Sequence, residues 1–287
     1  MPLVHGLAAL MEARVPDLPH TYLFVPGDRP DRFDKALASG AHAVIVDLED
    51  AVAPDAKANA RIAFASWHGA NPALRERVLL RINDSGSRWF DEDLELVRKT
   101  RVACVVLPKT ETVTQIDRLT SVLVDDGLVI PLIESASGVA LVDAIACAAR
   151  VQRMAFGTLD YALDVDIPGD ERGLLYPACR IAVASRAAGI ASPIAGVTPE
   201  IGDEAKLRAD LAFARSCGFG AKLCIHPRQV AAVHAAMRPS EEEIAWARRV
   251  VAASESAPGA IQVDGKMVDR PVIARARRIL AATEHNR

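Results

Sequence analysis

Short runs of β-branched and other apolar residues alternate with longer segments of helical period along almost the whole chain. The apolar runs read as strands at Tyr22–Val25, Ala43–Asp47, Val78–Ile82, Ala103–Leu107, Val129–Ile133, Arg153–Phe156, Ser192–Val197 and Ala221–Ile225. Most are continuous rather than alternating, as in parallel strands covered by helices. Between them, Asp31–Ser39, Asp55–Ser66, Phe90–Lys99, Thr112–Val124, Gly138–Ala149, Gly173–Ala188, Glu204–Cys217 and Arg228–Met237 read as helices. Strand and helix signals in strict alternation predict an α/β fold, a (β/α)8 TIM barrel. A doubly wound open sheet is the alternative, but the first strand runs into Pro26-Gly27-Asp28 rather than into a GxGxxG turn.

Beyond Pro239 the pattern changes. Ser240 followed by Glu241, Glu242 and Glu243 is a capped, acidic helix start, and the helix predicted there spans Glu241–Ser254. After Pro258-Gly259, Ile261–Val263 and Met267–Val268 flank Asp264-Gly265, a hairpin signal, and a last helix starts at Pro271. The chain therefore divides into a lead (1–20), a barrel (21–238) and a helical and hairpin extension (239–287). A segment of that size is expected to need the barrel or a neighbouring subunit to complete its core.

The 287 residues, 51% hydrophobic and 25% charged, have the mix of a globular protein. With 34 Lys and Arg against 37 Asp and Glu the net charge is −3, which argues against a nucleic-acid partner. The longest apolar stretch, Leu128 to Val151, is interrupted by Glu134 and Asp143, so no membrane span is expected. Met1 to Pro19 lacks a basic start and carries Glu12 and Asp17, unlike a signal peptide. Five Cys without a CxxC pair read as reduced thiols, and the expected location is the cytoplasm.

Barrel chemistry gathers at the carboxyl ends of the strands. There the chain places Asp47, Glu49 and Asp50, then Arg81 and Lys109, then Glu134, Asp160 and His226. Each has a structural alternative: a solvated turn for the first three acids, an N-cap for Asp160, packing or capping for His226. Arg81 and Glu134 interrupt or end apolar strands, where a charge needs a partner. Carboxylates from separate strands, without a His or Cys cluster, suit Mg²⁺ or Mn²⁺ rather than zinc. No GxxxxGK[ST], GxSxG or HExxH occurs.

Several motifs occur in order: Leu23-Phe24-Val25-Pro26-Gly27, Asp47-Leu48-Glu49-Asp50-Ala51-Val52, Arg81-Ile82-Asn83, Leu107-Pro108-Lys109 and Ile133-Glu134-Ser135. Phe156-Gly157-Thr158-Leu159-Asp160, Gly218-Phe219-Gly220-Ala221-Lys222 and Ile225-His226-Pro227-Arg228-Gln229 follow. With these the sequence resembles the citrate lyase β-subunit-like branch of the HpcH/HpaI aldolase family, which includes malyl-CoA and citramalyl-CoA lyases. The resemblance implies a Mg²⁺-dependent carbon–carbon lyase that releases a 2-oxo acid and a short acyl-CoA from a 3-hydroxyacyl thioester. It further implies Glu134 and Asp160 as metal ligands, and Arg81 as the catalytic group on the substrate's oxygens and the enolate. Asp47, Glu49, Asp50 and Lys109 would support metal-bound water, substrate and Arg81, with Glu49 close to the chemistry. Phe24, Arg32, Ile225, His226 and Pro227 would cradle coenzyme A, and Asp269 matches an acid that the tail of some relatives contributes to a neighbouring subunit's site.

The family also implies a homotrimer or hexamer. Two alternatives are the β subunit of a citrate lyase acting with an acyl carrier protein, and a CoA-ester-binding protein with reduced activity. A thioesterase side reaction is compatible with the same site. Two positions depart from the usual pattern. His20-Thr21 stands where many relatives carry Arg-Ser, a position expected to reach the thioester or phosphates. Ala195, in Pro193-Ile194-Ala195-Gly196, replaces a usual Asp.

Overall fold

The computed structural model describes residues 18–256 and 261–284; the lead up to residue 17 and the Pro258-Gly259 turn lie outside them. The described residues fall into two compact units, one ending at Val233 and one beginning at His234.

Eight parallel strands close the first unit into a barrel in chain order. They are β1 (Thr21–Pro26), β2 (Ala43–Asp47), β3 (Val78–Arg81), β4 (Cys104–Leu107), β5 (Leu128–Ile133), β6 (Ala155–Phe156), β7 (Ile194–Ala195) and β8 (Ala221–Cys224). The ring closes where Thr21, Tyr22 and Leu23 pair with Lys222, Leu223 and Cys224. The helices are α1 (Phe33–Ala38), α2 (Lys57–Ala70), α3 (Phe90–Thr100), α4 (Val113–Thr120), α5 (Ala136–Ala140) and α6 (Val142–Ala146), followed by α7 (Thr158–Asp164), α8 (Glu171–Ala187), α9 (Glu204–Ser216) and α10 (Pro227–Met237).

Side chains alternate across a strand, so every second residue faces the barrel axis. The inward set includes Tyr22, Ala43, Ile45, Leu79, Val106, Ile130, Leu132, Ala155, Ile194, Ala221 and Leu223, which pack into one core. Continuing the same parity to the carboxyl ends reaches Asp47, Arg81 and Glu134. The inward columns therefore begin apolar and end charged. In the sheet register Asp47 lies directly opposite Arg81, which sets their side chains next to each other.

Three local readings differ from the sequence pattern. The strands predicted at Arg153–Phe156 and Ser192–Val197 shorten to Ala155–Phe156 and Ile194–Ala195. Arg153 lies before the shortened β6, with its guanidinium donating to Ser192 O and Pro19 O. The helix predicted over Gly138–Ala149 is two short helices that meet at Leu141. Helix α7 had no sequence signal at all.

The second unit contains α11 (Glu241–Ser256), the antiparallel pair β9 (Ile261–Val263) and β10 (Lys266–Val268), and α12 (Arg270–Glu284). The Ser240 hydroxyl accepts from the Glu243 N–H, forming the expected cap. Asp264 and Gly265 have φ of 51° and 77°, the conformation of a two-residue hairpin turn. This unit has a small core of its own, built from Ala247, Val250, Val263, Val268 and Ala276.

Candidate active site

Arg81 ends β3 and is nearly buried. Its Nε and Nη2 donate to the two oxygens of Asp47, both at 2.6 Å. Its Nη1 lies 3.0 Å from Glu49 Oε2 and 3.6 Å from Asp50 Oδ2. The guanidinium also stacks 4.8 Å from the Phe24 ring centre. Burial opposes the charge, but the carboxylates of Asp47, Glu49 and Asp50 outweigh it and raise the Arg81 pKa. Asp47 is fixed in turn by the N–H groups of Glu49 and Ala51. A planar cation is thus preset by a bidentate bond before anything binds.

Glu49 and Glu134 meet through one residue. The Lys109 ammonium donates to Glu49 Oε1 at 2.9 Å, and the Lys109 N–H donates to Glu134 Oε1 at 2.6 Å. Lys109 does this with a left-handed φ of 46°, uncommon outside glycine, which turns its N–H toward the mouth. Burial works against the Lys109 charge, yet Glu49, Asp50 and Glu134 push its pKa up to about 12. Glu49 is buried, and this raises its pKa even with Arg81 and Lys109 opposing. Its Oε2 makes no hydrogen bond among the described residues despite the nearby Arg81, because the approach is misaligned.

Glu134 follows β5 and is buried. Burial, reinforced by the charges of Glu49 and Asp160, raises its pKa to about 8, although the Lys109 N–H opposes the shift. Space for its carboxylate comes from Gly157, where a Cβ would fall 2.6 Å from the Cβ of Glu134 and collide with its Oε2. Asp160 sits in the first turn of α7; the cap position of that helix is Gly157, so the capping reading of Asp160 does not apply.

These groups surround a cavity of about 380 Å³. Arg81, Asp47, Asp50, Glu134 and Asp160 line it, and Phe24 and Ile225 supply apolar wall. Glu49 and Lys109 stand behind this lining, held to Arg81 and Glu134. Arg32 ends an exposed turn after β1. The His226 Nδ1 accepts from the Arg228 N–H, and Pro227 opens α10, so this pair shapes the helix start. The cavity lining includes none of these three. His20 precedes β1, at the barrel end opposite the mouth, with Nδ1 2.9 Å from Gly220 O. From there it cannot make the thioester or phosphate contact expected of that position. Asp269 belongs to the second unit, where its Oδ1 accepts from the Val272 N–H at the start of α12.

Among the buried charges that escaped the sequence reading, Lys57 is the one behind the cavity. Lys57 lies on the inward stripe of α2 with Ala60, Phe64 and His68. A lysine in phase with apolar residues on a helix was the available signal. Asn83 and Asp93, which complete its surroundings, are buried as well.

A closed parallel barrel with its charged side chains gathered at the carboxyl mouth has the architecture of a barrel enzyme. Residues 20–227 match the model of the HpcH/HpaI aldolase/citrate lyase family, and the chain belongs to that family of enzymes. It is 37% identical over 266 residues to a citrate lyase subunit beta-like protein of Mycobacterium tuberculosis, covering 90% of this chain and 93% of that one. It is 33% identical over 276 residues to a (3S)-malyl-CoA thioesterase of Cereibacter sphaeroides, covering 91% and 93%. Its fold matches the crystal structure of CitE from M. tuberculosis in complex with magnesium, acetoacetate and coenzyme A. That match has a TM-score of 0.83 at 36% identity and covers 92% of this chain and 97% of the other.

Proposed function

We propose that this protein is a Mg²⁺-dependent carbon–carbon lyase of the malyl-CoA or citramalyl-CoA type, working as a homo-oligomer on a 3-hydroxyacyl-CoA. The observation that carries the reading is the meeting of Glu134, Asp160 and Arg81 on one cavity. The donor set fits a hard divalent cation. Burial first, then the charges of Glu49 and Asp160, raise the Glu134 pKa to about 8, and a bound cation would offset both. Glu134 and Asp160 would hold it, and when bound it supplies Lewis-acid polarisation of the substrate's oxygens. The CitE structure with magnesium, acetoacetate and coenzyme A supports both the metal and a coenzyme A moiety in the substrate.

In cleavage a carboxylate of the site, for which Glu49 is the candidate, would take the hydroxyl proton as the carbinol becomes the 2-oxo carbonyl. The bond to the carbon next to the thioester breaks and its electron pair leaves an enolate. Arg81 would stabilise that enolate. Its Nε and Nη2 are committed to Asp47, so the looser Nη1 is the group left for a substrate oxygen. A preset donor of this kind needs no reorganisation as charge develops. Asp50 is mostly exposed and yields its contact most easily. Asp269, contributed by the tail of a neighbouring subunit, would return a proton to the enolate carbon, and Phe24 and Ile225 would face the thioester arm.

Glu134→Ala is expected to abolish 2-oxo acid release and Mg²⁺ binding by calorimetry together. Full activity in excess EDTA would refute the reading. Thioester hydrolysis is the second reading, favoured by the identity to the malyl-CoA thioesterase. Free thiol without 2-oxo acid would establish it; 2-oxo acid without free thiol establishes the lyase. Comparing free CoA thioesters with acyl carrier protein thioesters separates the stand-alone enzyme from a citrate lyase β subunit.

A further inference from the structure

Lys57, the first residue of α2, is 5% exposed and does not line the cavity. Its ammonium donates to Leu48 O, Glu49 O and Asn83 Oδ1, each at 2.7 Å. An ammonium has three donors, so all are spent, and none of these acceptors is a carboxylate. The Trp89 ring covers it from 5.0 Å. A buried cation bonded only to neutral oxygens is a costly way to fill space that a methionine would fill more cheaply. Its value lies in what the bonds hold.

Two of the acceptors are successive carbonyls in the turn after β2, the turn that presents Glu49 to Arg81 and Lys109. The third is the amide oxygen of Asn83, two residues beyond Arg81. Asn83 is anchored in turn, since its N–H and its Nδ2 both donate to Asp93 Oδ2 at 2.8 and 2.6 Å. Asp93 is completed by Arg61 at 3.0 Å. One ammonium therefore ties the turn carrying Glu49 to the segment that leaves Arg81, from behind the cavity.

We propose that Lys57 is a positioning residue that acts through Glu49: it fixes the 48–49 backbone so that the Glu49 carboxylate stands between Lys109 and Arg81. The activity readout rests on the lyase reading; the structural readout does not.

The test compares Lys57→Met, Glu49→Gln and the double variant. Lys57→Met is expected to lower kcat about ten- to hundredfold with KM for the thioester changed less than about threefold, as for a sub-ångström misplacement of catalytic groups. In the Glu49→Gln background the same substitution should cost less than about threefold, because the two act as one unit. Losses that multiply, or an undiminished kcat, overturn the proposal. Crystal structures of wild type and Lys57→Met decide it without turnover. Glu49 is expected to leave the Lys109 ammonium in the variant, and an unmoved carboxylate overturns the proposal. If Lys57→Met does not fold, Lys57→Leu, which also removes all three donors, is read in the same two ways. If the wild type turns over no thioester, the lyase reading fails and the crystal structures alone decide this one.

Discussion

A buried lysine on the outer face of the barrel shows how a single residue's ionisation couples to stability. Lys222 lies on β8 with the parity opposite to the inward Ala221 and Leu223, and it is 2% exposed. Its ammonium donates to the Gly196 carbonyl. Burial pulls its pKa down from 10.5 to about 8, with Asp210 only partly compensating. A lysine lowered on folding is protonated in the unfolded chain and neutral in the native one between those two values. The unfolded state then binds more protons, so stability rises with pH through that window and is flat below it. Lys222→Met lacks the group, and other titrations cancel in the comparison. Wild-type stability relative to Lys222→Met should therefore rise by up to about 3 kcal/mol from pH 8 to pH 10.5. Urea denaturation at a series of pH values measures it. A constant difference would mean that folding does not shift this proton.

At the scale of elements, the meeting of the β5 end with the start of α7 decides whether the two proposed metal ligands face one space. Gly157 makes that junction by leaving out a side chain. Gly157→Ala should push the Glu134 carboxylate aside and weaken Mg²⁺ binding at least about tenfold, while overpacking lowers stability by about 1–3 kcal/mol. Calorimetry and urea melts read the two effects separately. An alanine variant with wild-type Mg²⁺ affinity would show that Glu134 does not depend on this gap.

How much of this was legible in the sequence follows from the same elements. Strand β2 coincides with its predicted span because Ala43 to Asp47 are all buried, so apolar character marks the strand from end to end. Helix α7 was unreadable because Leu159 and Leu163 are exposed and only Tyr161 turns inward, which leaves no apolar stripe. Arg81 and Glu134 stood out as charges interrupting or ending apolar strands. Lys57 did not, because a lysine near a helix start looks like ordinary solvated surface until the phase of its buried neighbours is counted. The spatial link from Lys109 to both Glu49 and Glu134 depends on a backbone angle that no pattern of residue types encodes.

For the whole molecule, the inward core runs from Tyr22 to Leu223 and lies entirely within the first unit. A chain ending at residue 238 is thus expected to keep a cooperative melt and to bind Mg²⁺. It should lose thioester cleavage if Asp269 supplies the proton, and Asp269→Asn in the full chain should reproduce that loss with unchanged Mg²⁺ affinity. Full turnover by the shortened chain would remove Asp269 from the reaction. No helix among the described residues is long and apolar enough to cross a membrane.

Closing eight strands into a ring has one more effect. An open sheet ends in two rows of unsatisfied N–H and C=O groups that can recruit strands from other chains. The barrel has no such border, since β1 pairs with both β2 and β8. Among the described residues, open sheet borders remain only on the hairpin of β9 and β10, each three residues long, with a charged Lys266 on one of them. Among the described residues, strand-to-strand aggregation would start on that short hairpin, while the closed ring gives the apolar barrel strands no exposed edge.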